Sequence, residues 1–289
     1  MENIAAMPGN SHTSVRSRTV AAELRRLRES RGLSCAEVGE KLGASASKIS
    51  RMETGHSGLQ VEDVAALLGF YEVSAKKRTE LLDLLKRGDQ KGWWERQANL
   101  PTLWRSLIDF ESKATRIQNY EATVIPGLLQ TDEYVAAIMQ GTEPTLTGAE
   151  LDNLVATRIA RQARLTSFGG PQFLGVIHEA ALRIPVGGTK VMVRQLRRLV
   201  DLNERPNVTL RIVPNDAGAH AGLRGPFVIL EFAEEPALVH LENQDTGLFL
   251  EEEADLAGYR LALRNILNEA VAPDATEGVL SALITELTE

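Results

Sequence analysis

The sequence predicts a multidomain chain: an all-α head of about five short helices, then a larger α+β domain containing an antiparallel meander. Three observations carry this reading. Between residues 18 and 88, apolar residues recur at spacings of three and four between glycine signals at Gly32, Gly43, Gly55 with Gly58, Gly69 and Gly88. From residue 104 onward, helical patterns alternate with short runs rich in β-branched and aromatic residues. The last three of those runs are separated only by the turn-type stretches AEEP and NQDTG, which is the spacing of a meander.

Composition narrows the function classes. With 289 residues, 43% of them hydrophobic, the chain can bury a core for one large or two ordinary domains. No apolar run approaches the roughly 18–20 residues that a membrane span requires, and the first residues lack the basic-then-apolar order of a secretory signal, so a cytoplasmic protein is expected. The single cysteine, Cys35, excludes an internal disulfide and a thiolate metal cluster within one chain. A net charge of -7 argues against a nucleic-acid partner only until its distribution is read. Residues 16–51 hold nine bases against four acids, a local surplus of +5, and the acid excess lies downstream. Only the head suits phosphate.

Residues 1–17, rich in Ser, Asn, Gly and Thr, read as a disordered tail, with Arg16 and Arg18 making a basic arm. Leu24 with Leu27, Val38 with Leu42, Ile49 with Met52, then Val61, Val64, Leu67 and Leu68, and finally Leu81 with Leu85 mark five helices within residues 18–88. Residues 89–103 contain Trp93 and Trp94, too bulky and apolar for a free linker, and are expected to form a docked connection. The pair either packs that connection or stacks on a base or ligand. In residues 104–289, helices are expected at about 104–119, 131–140, 148–167 and 188–204. Strands are expected at 173–177, 208–213, 227–232, 238–241 and 248–250. Two helices close the chain: one lined by Leu256, Tyr259, Leu263, Ile266 and Leu267, the other opened by an Asp274–Glu277 capping box.

The stretch 34-SCAEVGEKLGASASKISRMETG-55 concentrates the functional signal. Ser34 and Glu37 form an S-x-x-E capping box, with Leu33 and Val38 as the accompanying hydrophobic staple. Gly39 permits close approach of a second helix, and Gly43 supplies the backbone angles of a tight interhelical turn. Ser45 caps the next helix. Ile49 and Met52 turn that helix inward on one side, which leaves Ala46, Ser47, Ser50 and Arg51 facing outward. Small residues at its start admit it to a major groove. There Arg51 can pair with guanine O6 and N7, Ala46 can touch a thymine methyl, and Ser34, Ser45 and Lys48 can hold phosphates.

On these residues the chain resembles the lambda-repressor or Xre class of helix-turn-helix proteins from about Val20 to Leu85. Gly43, the ISRMETG ending and the helix from Val61 to Leu68 carry the resemblance. The class usually has Gln at the position of Cys35 and often at that of Ala46, departures that bear on the base code. The remainder resembles the regulatory domain, of poorly known function, that follows such heads in a large family of actinobacterial regulators. The stretches GWWE at 92–95, YEATVIPGLLQTDEYV at 120–135, PVGG at 185–188, RPNVTLRIVPNDAGAH at 205–220 and FVILEF at 227–232 carry this second match. The resemblance implies a regulator that pairs with a very small protein encoded nearby, in a manner likened to toxin and antitoxin.

Enzyme chemistry is not expected. His178-Glu179 begins like a zinc-protease HExxH, but Leu182 stands where the second histidine belongs. PVGGTK at 185–190 falls short of the phosphate-loop pattern and reads as a turn feeding a helix. The loop PNDAGAHAG, with Asp216 and His220, is either a plain connection or the wall of a polar pocket. No cofactor or metal is expected. The expected function is therefore a sequence-specific transcriptional regulator on double-stranded DNA, with no membrane partner, whose C-terminal domain forms a homodimer and senses a signal or partner. The alternative is an antitoxin-like interaction module that neutralises a small protein and autoregulates through its head.

Overall fold

The computed structural model describes residues 15–54, 59–86, 100–242 and 247–289. The chain divides into two compact units, residues 1–96 and 97–289. The tail expected at residues 1–14, the glycine stop at Gly55 and Gly58, Gly88, Trp93 with Trp94, and the turn at 243–246 lie outside the described residues.

The first unit is all-helical. Its elements are α1 (Val15–Glu29), α2 (Cys35–Leu42), α3 (Ala46–Thr54), α4 (Val61–Phe70) and α5 (Ala75–Lys86). Helix α1 begins at Val15, so residues 15–17, expected in the tail, are helical. Arg18 is no arm: it is 6% exposed. Each helix buries apolar side chains, Val20, Leu24 and Leu27 from α1, Val38 from α2, Ile49 and Met52 from α3, Val64, Leu67 and Leu68 from α4 and Leu81 from α5, and Tyr71 just after α4 is buried as well.

The second unit opens with α6 (Leu100–Lys113), which takes in residues 100–103 of the expected linker. Pro101 lies in its first turn, where a missing N–H costs no helical hydrogen bond. The helix expected to continue to residue 119 stops at Lys113, and β1 (Arg116–Glu121) follows. Four successive β1 residues, Ile117 to Tyr120, are buried on both faces, so the alternation that betrays a half-exposed strand is missing, and Gln118 and Asn119 hide the apolar run. Then come α7 (Asp132–Thr142), α8 (Gly148–Thr166), β2 (Gln172–His178), a short α9 (Glu179–Arg183), α10 (Thr189–Asn203) and β3 (Val208–Val213). The chain closes with β4 (Phe227–Glu231), β5 (Leu238–Glu242), β6 (Gly247–Leu250), α11 (Glu253–Glu269) and α12 (Thr276–Thr288). The Asp274–Glu277 capping box does not form. Residues Pro273–Ala275 make a 3-10 turn, and α12 starts at Thr276, whose buried hydroxyl instead donates to Leu210 O at 3.1 Å.

The six strands form one mixed sheet in the order β3-β2-β1-β4-β5-β6. The antiparallel meander expected from the turns is present as β4-β5-β6, but it is half of the sheet, because β1, β2 and β3 run parallel. Central β1 joins the halves, Tyr120 pairing with Val176 on one side and Phe227 on the other. One face packs Tyr120, Val176, Val213, Phe227, Ile229 and Val239 against Leu256, Leu263 and Ile266 of α11. On the opposite face Gly175 leaves room for Leu129 and Leu210; a Cβ there would lie 3.0 Å from Leu210 Cδ2.

That opposite face also buries charge and amides. Glu111 of α6, Glu121 of β1, Arg158 and Arg161 of α8 and His240 of β5 lie on this side, and burial raises the pKa of the two carboxyls and lowers that of Arg158 and His240. Burial pushes the Glu121 carboxyl up to about 7, with nearby Glu242 adding to the rise and the Asn119 amide opposing it. Burial pushes the His240 imidazole down to about 4. The two groups act on stability with opposite sign. His240 prefers the neutral form in the folded state, so its contribution is full above its ordinary 6.5 and is lost as pH falls toward about 4. Glu121 holds its proton in the folded state, so its contribution grows as pH falls from about 7 toward its ordinary 4.5. Relative to the parent, His240→Gln is expected to gain stability on acidification through the first window, and Glu121→Gln to lose it through the second. Urea midpoints measured at half-unit pH steps check this, and parallel profiles for all three proteins would sink it.

Candidate nucleic-acid interface

The outward side of α3 is set by how its inward side is held. Ser34 Oγ accepts from Glu37 N at 3.2 Å while Ser34 N donates to Glu37 Oε2 at 2.7 Å, so the capping box starts α2. Gly43 ends α2 in the left-handed region at φ 65°. Gly39 admits the turn: a Cβ on it would stand 2.6 Å from Ala44 O and 3.2 Å from Ala46 N, the first residue of α3. Ser45 Oγ accepts from Lys48 N at 3.1 Å and caps α3.

Below α3 lies the contact that fixes its rotation. Glu53 follows Ile49 and Met52 onto the buried stripe and is met by Arg28 of α1 in a two-point ion pair, Nε to both carboxylate oxygens at 2.9 Å and Nη2 to Oε2 at 2.8 Å. The side chains are only 12% and 2% exposed, so this pair is desolvated and its geometry matters. Arg28 Nη1 also donates to Leu33 O at 2.7 Å, tying down the α1–α2 loop, and the Glu53 hydrogen bond raises the guanidinium's already high pKa. Helical spacing alone does not reveal the pair, and Arg28 is one of the nine bases from which the head is expected to suit phosphate. The available signal was Glu53 itself, an acid at the i+4 position of an apolar stripe.

Ala46, Ser47, Ser50 and Arg51 are all exposed along α3, as is Ser34 at the start of α2 and Ser45 at the start of α3. Arg51 makes no ion pair among the described residues. Lys48 is placed differently from the others: it is half-exposed, and its Nζ donates to Asp63 Oδ1 of α4 at 2.8 Å. A phosphate would have to share that ammonium with Asp63. Arg25 and Arg26 pair with Glu29 and Glu23 on α1, so the head's surplus of bases is partly engaged within the head.

Two comparisons bear on these units. A family model described as a helix-turn-helix domain (HTH_31) matches residues 19–81. A second, described as a domain of unknown function (DUF5753), matches residues 104–282, more than half of the chain. The chain belongs to the DUF5753 family. No curated protein and no solved structure gives a match. The head is thus a helix-turn-helix domain, a type that suggests DNA binding and transcription regulation, joined to a DUF5753 domain.

Within the DUF5753 domain the two motifs that resemble enzyme chemistry meet. His178 ends β2 and His220 lies in the loop after β3, their rings stacked at 5.7 Å and 15°. Each uses Nδ1 to accept a backbone hydrogen, from Ala180 N at 3.2 Å and Gly222 N at 3.1 Å. Burial and the neighbouring His220 hold the His178 imidazole below its ordinary pKa. Glu179 accepts from Asn215 N at 3.0 Å and pairs with Arg183, and Leu182 is buried in the core. Asp216 is exposed, and Gly222 sits so close to Tyr120 that a Cβ would overlap its ring. Among the described residues no group of three or more His, Cys, Asp or Glu is placed to hold a metal, and no helix is long and apolar enough to cross a membrane.

Arg28→Ala leaves the Glu53 carboxylate buried without its partner and is expected to destabilise the head by about 3–5 kcal/mol. Chemical denaturation followed by circular dichroism checks it. A loss below about 1 kcal/mol, the level of a surface pair, would mean that Glu53 is not held as described.

Proposed function

We propose that this protein is a sequence-specific transcriptional regulator of the Xre or lambda-repressor-like type that reads DNA with α3. The observation that carries the reading is the split character of α3: Ile49, Met52 and Glu53 are locked inward, and Ala46, Ser47, Ser50 and Arg51 are presented to solvent on a helix with small residues at its start. Such a helix enters a major groove, with Arg51 bidentate to a guanine edge, Ser47 and Ser50 facing neighbouring edges and Ala46 against a thymine methyl. Ser34 and Ser45 stand at the amino ends of α2 and α3, where unpaired backbone N–H groups favour phosphate, and Lys48 adds a charge shared with Asp63. In this reading the DUF5753 domain forms a homodimer, spaces two heads for half-sites about 34 Å apart and receives a signal, without being an enzyme. A second reading, an antitoxin-like module that captures a small protein, draws on β6, which ends the sheet order and offers an edge for strand addition.

Fluorescence anisotropy on DNA from upstream of the gene and on scrambled DNA, over a salt series, tests the first reading. The upstream fragment is expected to bind about a thousandfold more tightly. Arg51→Ala is expected to cost roughly 1–3 kcal/mol on that fragment and to change the scrambled fragment little. Equal weak binding to both DNAs would count against sequence reading, and an unchanged Arg51→Ala affinity would remove Arg51 from it.

A further inference from the structure

A cavity of about 360 Å³ lies between α6, α8 and the start of β1. Its walls are mainly apolar, with Ile108 from α6, Ile117 from β1, Leu128 from the turn before α7 and Leu165 from α8. The volume falls in the range of about 300–1,000 Å³ in which proteins take small organic ligands. Two guanidinium groups decide what kind of ligand. Arg161 is neutralised: its Nε lies 2.8 Å from Glu111 Oε2 and its Nη2 3.1 Å from Oε1, with both side chains less than a tenth exposed. Arg164 is not. Among the described residues it reaches only neutral acceptors, Ser112 O at 3.2 Å, Gly169 O at 2.9 Å and Ser167 Oγ at 3.4 Å. The wall therefore carries one positive charge that no carboxylate among the described residues balances, beside an apolar chamber.

We propose that this cavity is an effector site for a small organic anion, with an apolar body that fills the chamber and one carboxylate or similar acid group that meets Arg164. The complementarity is double. The apolar body replaces water against Ile108, Ile117, Leu128 and Leu165, and the acid supplies Arg164 with the charged acceptor it lacks, a hydrogen bond stronger than those to carbonyls. The site is placed to report occupancy. Helix α6 is seated on the sheet through Phe110, which meets Phe249 at 5.2 Å and Phe232 at 6.2 Å, and its Ile108 and Ser112 form the cavity wall. In the chain α6 follows the segment that leads from α5 of the head, so a ligand that shifts α6 acts on the element nearest in sequence to the DNA-binding unit. This last step rests on the regulatory reading; the binding site does not.

Isothermal titration of the full chain with 2-naphthoate, 4-phenylbutyrate and the uncharged 2-naphthalenemethanol tests the site. Saturable binding of at least one acid is expected, with the alcohol weaker than naphthoate by about tenfold or more, the loss of one charge-assisted hydrogen bond. Ala160 is exposed on α8 and lines the cavity, so Ala160→Trp fills the chamber without touching the core and is expected to weaken acid binding at least about tenfold at unchanged melting temperature. Arg164→Gln is expected to bring acid and alcohol to similar affinity. Failure of both acids to bind, or binding that Ala160→Trp does not weaken, would overturn the site, and equal affinity of naphthoate and the alcohol in the parent would overturn its anionic character. Anisotropy on the upstream DNA with and without the bound acid separates the two readings. Where the DNA binds, an affinity unchanged at saturating acid overturns the coupling through α6, whereas no DNA binding either with or without acid counts against the regulatory reading alone.

Discussion

Backbone carbonyls and amides stranded where the chain leaves its helices and strands need partners, and much of this structure depends on long polar side chains that provide them. The segment between β1 and α7 is the clearest case. Gln130 Nε2 donates to Ile125 O at 2.6 Å, Gln162 Nε2 to Gln130 O at 2.8 Å, and Gln195 both donates to Leu129 O at 2.9 Å and accepts from Thr131 N at 2.7 Å. Two helices, α8 and α10, are thereby attached to one irregular turn. Asn207 does the same at the other end of the parallel strands, donating to Leu165 O and Pro171 O. Arg211 closes the end of α11 through Val271 O, Ala270 O and Leu267 O. Several residues of the stretches YEATVIPGLLQTDEYV and RPNVTLRIVPNDAGAH thus serve to hold backbone and have no need of a chemical role.

The head obeys the same constraint with a charge added. Arg28 satisfies Leu33 O and pairs with Glu53, so one guanidinium closes a loop and sets the rotation of α3. Burying such a pair contributes little net stability, since desolvation offsets most of the attraction, but it penalises any rotation of α3 that would leave either charge alone. That penalty fixes which side of α3 is turned to solvent. It also explains why counting bases overstates the charge available to phosphate. Arg28 belongs to the interior and Lys48 is held by Asp63, while Arg51 stands on the exposed side without a carboxylate among the described residues.

How much was legible depended on whether a signal was local. The helices of the head, the Ser34–Glu37 box, the left-handed Gly43, the cap at Ser45 and the inward turn of Ile49 and Met52 all arise from residues within four positions of one another, and each appears in the structure. Strands β2 to β6 were visible for the same reason. Strand β1 was not, because its identity comes from neighbours on both sides: Gln118 and Asn119 are polar residues that only a central position buries. The box expected at Asp274 and Glu277 failed because Thr276 is drawn to Leu210 O, a strand carbonyl remote in sequence. The exposed residues of α3 follow from helical periodicity, whereas Glu53, Asp63 and the cavity beside Arg164 depend on partners between about fifteen and fifty residues away.

By itself the sequence determined the number and kind of most elements, the two-part division and the outward set on α3, since capping, glycine angles and helical spacing act within a turn or two of chain. The tertiary structure decided the parallel half of the sheet, the pairing of Arg28 with Glu53, the meeting of His178 with His220 and the neutral acceptors that surround Arg164. Strand order, ion-pair partners and cavities are properties of surfaces brought together, and the free energy that selects among them comes from desolvation and packing between segments that a linear reading keeps apart.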